Sequence, residues 1–315
     1  MALDFNSVKF LFWSRNLGVS FNRTLTLGRL GLPCPPRKAR RAARDFGLAA
    51  APEEFDRCFR RTFGKEHFAD EFFRLLGTRE LVTVDRSDFE GATLLHDLNE
   101  PFPENLRSSF DLVLDGGTLE HVFDYPSALR HCLELVSVGG HFITITPANN
   151  WMGHGFYQFS PELFFRVFTA ENGFVLRKMV IFECRKTDAP FYEVKDPAVI
   201  GTRVQLNSAK PVMLAVLAQK TAGVPLFVRP PQQSDYAAEW QAHQQSALKT
   251  KPSGSGLVHR LRVAASPYWP FWLRRLKFRL MNLQTYGRPS LKNARQFRRL
   301  SWREIISERS RPGVE

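Results

Sequence analysis

From about Thr24 to Ala222, short β-branched or apolar runs alternate with longer stretches of helical periodicity. Thr24–Gly28, Leu81–Asp85, Phe110–Asp115 and His141–Thr146 predict buried strands, the last halted by Pro147. Phe174–Phe182 and Val212–Ala218 extend the series. Helices are predicted over Pro36–Phe46, starting at a proline and ending before Gly47, and over Pro52–Phe63 and His67–Leu76, the latter closed by Gly77. Another runs from Tyr125 to Val136 and stops at Gly139-Gly140, and Ser160-Pro161 opens one more as N-cap and first residue. Strands that alternate with helices pack as a mostly parallel sheet covered on both faces. The expected fold is therefore α/β, doubly wound and Rossmann-like.

Beyond Thr221 the pattern fades into Gln, Ser, Pro and Ala, with linker-like stretches at Pro230–Ser234 and Lys251–Gly256 around a short polar helix, Tyr236–Leu248. A helix is predicted from Pro270 to Leu283, with Trp272, Leu273, Leu276, Leu280 and Leu283 on one stripe and Trp269 just before it. Arg274, Arg275, Lys277 and Arg279 lie off that stripe, and Lys292, Arg295, Arg298, Arg299 and Arg303 continue the charge on a second expected helix. Residues 1–222 read as the α/β domain, 223–256 as a linker region and 257–315 as a basic amphipathic helical tail.

Charge sharpens that division. The chain of 315 residues carries a formal net charge of +13, yet Lys249–Glu315 alone holds 16 basic and three acidic residues. Residues 1–248 hold 28 of each and balance. At 43% hydrophobic and 24% charged the chain can bury a large core and falls outside the disordered and fibrous classes. No window is long and apolar enough to span a bilayer, and Asp4 and Lys9 interrupt the run a secretory signal needs. Cys34, Cys58, Cys132 and Cys184 form no CxxC pair and read as reduced thiols. A cytoplasmic location follows, with peripheral membrane attachment through the tail left open.

In open α/β sheets ligands bind beyond the carboxyl ends of the strands. After the first strand comes Gly28-Arg29-Leu30-Gly31; the second ends in Asp85, where an acidic side chain can hold ribose hydroxyls. His96-Asp97-Leu98 follows, then Asp115-Gly116-Gly117-Thr118-Leu119-Glu120-His121, whose glycine pair leaves room for a flat ligand.

Together these residues resemble the class I S-adenosylmethionine-dependent methyltransferases. The resemblance is strongest over residues 110–150, FDLVLDGGTLEHVFDYPSALRHCLELVSVGGHFITITPANN, and extends through GHGFYQFSPELFFRVFTAENGF, residues 153–174. It is similar to an uncharacterised bacterial branch with the segments found here as Asp85–Ala92 and His96–Asn99. The resemblance implies S-adenosylmethionine as cofactor. Gly28, Arg29 and Gly31 would approach its methionine part and Asp85 its ribose. Asp97 and Leu98 would flank the adenine, and Asp115, Gly116 and Gly117 would line the sulfonium end. Arg29 and Leu30 interrupt the family's glycine-rich loop.

A methyl transfer needs an aligned nucleophile, removal of its proton when it is a hydroxyl, and exclusion of water. Candidates are His154, His121 and Glu120, with Tyr157 as pocket wall; the structural alternatives are a loop-bonding role for His154 and a loop-orienting, helix-capping role for Glu120 and His121. Some relatives hold a divalent metal through Glu-x-x-Glu-His, but here Gly117 stands at the first position, and the incomplete shell predicts no metal. The acceptor is expected to be an oxygen or nitrogen of a small molecule or glycan precursor. The alternative is a non-catalytic protein of this fold that attaches through its basic tail. For the tail, docking on the domain, an anionic membrane surface and nucleic acid stand as readings in that order.

Overall fold

The computed structural model describes residues 2–48, 50–59, 68–184, 186–248 and 270–309. It divides into two compact units: Met1–Val194, Ser208–Pro231 and Arg298–Glu315 form the first, and Lys195–Asn207 with Gln232–Phe297 the second.

The first unit is built on a sheet. Its strands are β1 (Arg23–Leu27), β2 (Glu80–Asp85), β3 (Leu94–Leu95), β4 (Phe110–Asp115), β5 (Val136–Asn149), β6 (Phe174–Glu183), β7 (Tyr192–Val194), β8 (Val212–Lys220) and β9 (Phe297–Arg299). The order is β3-β2-β1-β4-β5-β8-β6-β7-β9. β3, β2, β1, β4 and β5 run parallel, while β8 lies antiparallel between β5 and β6. The central strands are buried and β-branched or leucine-rich, as a sheet covered on both faces requires. Chain order reverses between β1 and β4, so the switch point lies there.

Helices α2 (Pro36–Asp45), α3 (Pro52–Phe59), α4 (Asp70–Leu76), α5 (Tyr125–Leu135) and α6 (Pro161–Val167) follow the predicted pattern. Asp124 caps α5 by accepting from Ser127 N, and Ser160 caps α6 by accepting from Glu162 N. At the far end of α5, Lys220 Nζ donates to the carbonyls of Leu133 and Val136, satisfying groups the helix leaves free. Residues 60–63 of the expected helix Pro52–Phe63 and His67 of the next lie outside the described residues.

Four departures from the sequence reading have physical causes. The N-terminal segment forms a helix, α1 (Phe5–Asn16), capped by Asp4 and buried from Phe5 to Ser14. No stripe betrayed it, because a helix covered on all sides shows no amphipathic period. Val136 begins a strand directly, and β5 runs through Gly139-Gly140 and past Pro147 to Asn149. Proline is tolerated there because β4 ends at Asp115 opposite Thr144, leaving no parallel neighbour for the missing N–H to serve. The expected second basic helix is instead β9 followed by α10 (Trp302–Ser307), which Ser301 and Glu304 open with a reciprocal capping box. Finally, the stretch 257–315 is not one appendage: Leu300 and Ile305 belong to the main hydrophobic core, and Trp302 Nε1 donates to Asp45.

The second unit holds α7 (Pro197–Ile200), α8 (Ser234–Leu248) and α9 (Phe271–Tyr286). Buried Gln296 ties it together, accepting from Gln205 N and donating to Arg203 O, and Arg203 pairs with Asp235. Lys251–Gly256 and Trp269 lie outside the described residues. In α9, Phe271, Trp272, Leu276, Phe278, Leu280 and Met281 are all exposed, as are Arg274, Arg275, Lys277 and Arg279. Of the predicted stripe, Trp272, Leu276 and Leu280 are exposed and Leu273 is half-buried.

Candidate functional site

The loops that leave β1, β2, β3, β4 and β5 all carry sequence-predicted residues. At β1, Gly28 has φ +78°, a conformation that a side chain strains, and its N–H donates to Val84 O. Arg29 turns away: its guanidinium holds Asp70 at 2.8 Å, donates to Glu90 O and lies over the Phe68 ring. Gly31 is engaged by backbone, accepting from Leu3 N at 2.7 Å. The expectation that Arg29 and Gly31 face the cofactor thus meets groups already committed within the protein.

Leu30 is the residue that sequence reasoning passed over. It is buried, and its side chain lies so close to Gly116 that a Cβ there would stand 2.8 Å from Leu30 Cδ2. The glycine expected to open the strand mouth instead receives a leucine from the opposite loop. An apolar residue between two loop glycines was the available signal.

Asp85 is half-buried at the end of β2 and accepts from Ser87 N. Asp97 accepts from the backbone and side chain of Asn99, and these bonds hold its carboxyl below the usual range. Leu98 is buried beside it. These three fit the adenosine half of the expected cofactor: two carboxylates at adjacent strand ends and an apolar wall.

Asp115 has a different role from the one expected. Fully buried, its Oδ1 accepts from the backbones of Gly117, Thr118 and Leu119, and its Oδ2 from Thr144 Oγ1 at 2.7 Å. These bonds shape the turn after β4. Thr118 Oγ1 donates to Leu27 O at 2.7 Å and joins that turn to β1. Gly117, with φ +101°, supplies the reversal.

The turn delivers Glu120 and His121. Glu120 is 1% exposed; its Oε2 accepts from Thr146 Oγ1, and its Oε1 is buried with no hydrogen-bond partner. Burial, and then the Asp115 charge, push its carboxyl up to about 8. The loop after β5 is clamped over it: Phe156 and Tyr157 N–H groups both donate to Glu120 O. Gly155, at φ +69°, passes so close that a Cβ would lie 2.7 Å from that carbonyl. The clamp brings His154 Nε2 to 3.6 Å from Glu120 Oε1. The rings of His154 and His121 stand 5.0 Å apart, edge to face, and burial with the nearby His154 lowers the His121 pKa. One ligand atom from each of Glu120, His121 and His154 lies within 4.8 Å of the others. Both histidines are exposed on their outer side, so the cluster is open to solvent above a buried carboxyl.

Around it stands an apolar rim. Phe123, Met152 and Phe156 are exposed, and the Phe123 and Phe156 rings meet edge to face. Trp151 packs its ring 5.0 Å from His154. Tyr157 donates its hydroxyl to Phe123 O at 2.6 Å and so braces the rim.

No family model matches the chain, and no curated protein does. Solved structures that resemble it include the 1,6-didemethyltoxoflavin N1-methyltransferase of Burkholderia thailandensis, at 13% identity over 69% of this chain and 79% of that one, with a TM-score of 0.37. The YcgJ protein of Bacillus subtilis matches at 12% identity over 69% and 100%, TM-score 0.34. The branched-chain polyamine synthase of Thermus thermophilus matches at 12% identity over 72% and 60%, TM-score 0.33.

Proposed function

We propose that the chain is an S-adenosylmethionine-dependent methyltransferase acting on an oxygen or nitrogen of a small molecule or glycan precursor. The observation that carries this reading is convergence. Asp85, Asp97 and Leu98 end the strands on one side of the switch point, and the Glu120–His121–His154 cluster closes the other. Bound at this mouth, the cofactor supplies an electrophilic methyl group. Asp85 would hold the ribose and Asp97 and Leu98 the adenine, while Gly28, Gly116 and Gly117 keep the backbone low. The Phe123–Met152–Phe156 rim excludes water and receives the apolar body of the acceptor. The acceptor's proton leaves through the His154 side of the cluster, with Glu120 buried behind it.

Calorimetry with S-adenosylmethionine tests the cofactor half. Binding is expected, and Asp85→Ala should weaken it about 10- to 100-fold, the worth of hydrogen bonds to a charged group. Absence of binding at millimolar ligand sinks the reading. Methyl transfer to fractionated small-molecule extracts, followed with labelled cofactor, tests the acceptor half.

One observation favours the alternative, a non-catalytic protein of the same fold: Leu30 occupies the space above Gly116 where the methionine part would pass. Cofactor binding requires Leu30 to swing aside. The two readings part on Leu30→Ala, which should bind the cofactor more tightly than the wild-type chain if the site is a working one. A second observation supports attachment to an anionic membrane surface. In α9, exposed Phe271, Trp272 and Phe278 sit among Arg274, Arg275, Lys277 and Arg279, the composition of an interfacial helix. Nucleic acid is the weaker reading for the same cations.

A further inference from the structure

We infer that Glu120, His121 and His154 form a binding site for a divalent transition-metal ion of the zinc class. The sequence shows only the Glu120-His121 pair, with Gly117 where a further carboxylate would complete a local shell. The fold supplies the third donor from 33 positions downstream, bringing His154 over Glu120 on the clamped loop after β5. The donor set thereby becomes two imidazoles and one carboxylate from two separate loops.

Two independent features support it. The first is the spacing, with the three donor atoms within 4.8 Å of one another. An ion at about 2.0–2.2 Å from each donor holds them roughly 3–3.5 Å apart. Glu120 Oε1 and His154 Nε2 are already 3.6 Å apart, and His121, exposed on its outer side, closes the remainder by turning its ring. The second is Glu120 Oε1 itself, a carboxylate oxygen on a 1% exposed residue, without a hydrogen-bond partner, on the side of the two imidazoles. A buried polar atom left in that state costs free energy unless something fills its place. A cation satisfies it, and no described donor lies close enough to do so.

The chemistry of the donors selects the ion. Two neutral imidazoles and one carboxylate suit zinc and its neighbours in the first transition row, while magnesium and calcium call for oxygen shells. Three protein ligands with an open outer face match sites where the ion keeps a position for a reacting group. Its role there rests on the methyltransferase reading: holding the acceptor oxygen or nitrogen, the ion would lower that group's pKa. The proton then passes to water at the exposed His121–His154 side of the cluster, and His154 is needed as a ligand rather than as the base. Gly153, at φ +94°, and Gly155, at φ +69°, flank His154 in left-handed conformations that hold the loop over Glu120.

The full-length protein, stripped with a chelator, is titrated calorimetrically with ZnCl₂ and separately with MgCl₂. Saturable zinc binding at one ion per chain is expected, with magnesium far weaker. His154→Gln and His121→Gln, both at exposed positions and so compatible with folding, should weaken zinc at least ~10-fold. His243→Gln should leave it unchanged. Cobalt loaded in place of zinc should show visible d–d bands that His154→Gln abolishes. Zinc affinity unaffected by either cluster histidine, or magnesium bound as tightly as zinc, overturns the inference. Cofactor calorimetry on the same samples separates the two ideas. Cofactor binding without metal leaves the methyltransferase reading standing and removes the ion; metal binding without cofactor does the reverse.

Discussion

Helices α1 and α9 are near twins in composition and opposites in fate. FNSVKFLFWSRN and FWLRRLKFRLMNLQTY both mix aromatics with cations, yet the first is buried from Phe5 to Ser14 and the second shows Trp272 at 64% exposure. The difference lies in how the polar groups can be satisfied. In α1 the buried Lys9, Asn6 and Ser14 each have a partner, while the Trp13 indole N–H has none and is held by ring contacts instead. Lys9 Nζ reaches Asp188 and Ala189 O, Asn6 bridges Lys186 O and Ala189 N, and Ser14 bonds back to Phe10 O. Three aromatic rings also surround the Lys9 ammonium, the nearest, Phe191, at 4.8 Å. In α9 four cations lie within six residues, off the apolar stripe, and all four are exposed. A cation inside a helix can be buried where the fold supplies it a partner, as Asp188 does for Lys9.

The largest expected effect that tests this contrast is on α1. Trp13 is buried, stacked on Phe191 and edge-on to Phe10, so Trp13→Ala should cost about 3–5 kcal/mol in denaturant unfolding. Next comes acid stability of the body that α1 covers. His141, buried in β5 with its Nδ1 unpartnered, has its pKa pushed down to about 4 by burial. Between that value and 6.5 the unfolded chain binds a proton that the folded chain refuses. Stability should therefore fall as pH drops through this window, by about 2 kcal/mol at pH 5. His141→Leu should flatten the curve; an unchanged acid slope would show that other groups dominate.

Lys9 gives the same test at the alkaline end. Burial lowers its pKa below 10.5, so the unfolded chain binds more protons there, and stability should rise as pH climbs toward that value. Lys9→Met should lack this rise. Losing the α1 cap in Asp4→Ala should cost about 1 kcal/mol. Smallest is Trp272→Ala on α9, expected within about 0.5 kcal/mol of wild type while reducing sedimentation with phosphatidylserine vesicles. If it destabilised the fold as Trp13→Ala does, the contrast between the helices would collapse.

The legible elements showed themselves in two ways: half-covered α2, α5 and α6 by their period or their cap, and β1, β2 and β4 by short β-branched or apolar runs. α1 was not, since burial on all sides erases the period. The site was legible in parts. Glu120, His121 and His154 could be singled out by residue type and by their place after strands. Their convergence could not, because it depends on a loop clamp made through the Glu120 carbonyl, and a carbonyl carries no residue identity. Asp115 misled for the reciprocal reason: an acid at a strand mouth looks the same whether it faces a ligand or the backbone of its own turn.

The placement of Leu300 and Ile305 in the main core reaches beyond packing. The chain leaves the sheet-bearing unit after Pro231 and rejoins it at Arg298, so its last segment is a seam that is sewn in after a long excursion. A deletion running from the excursion to the C-terminus would therefore unpick the body along with the helix it was meant to remove. The function of α9 must be read from substitutions within the excursion, and on a ribosome the body cannot finish folding until Ile305 has been made.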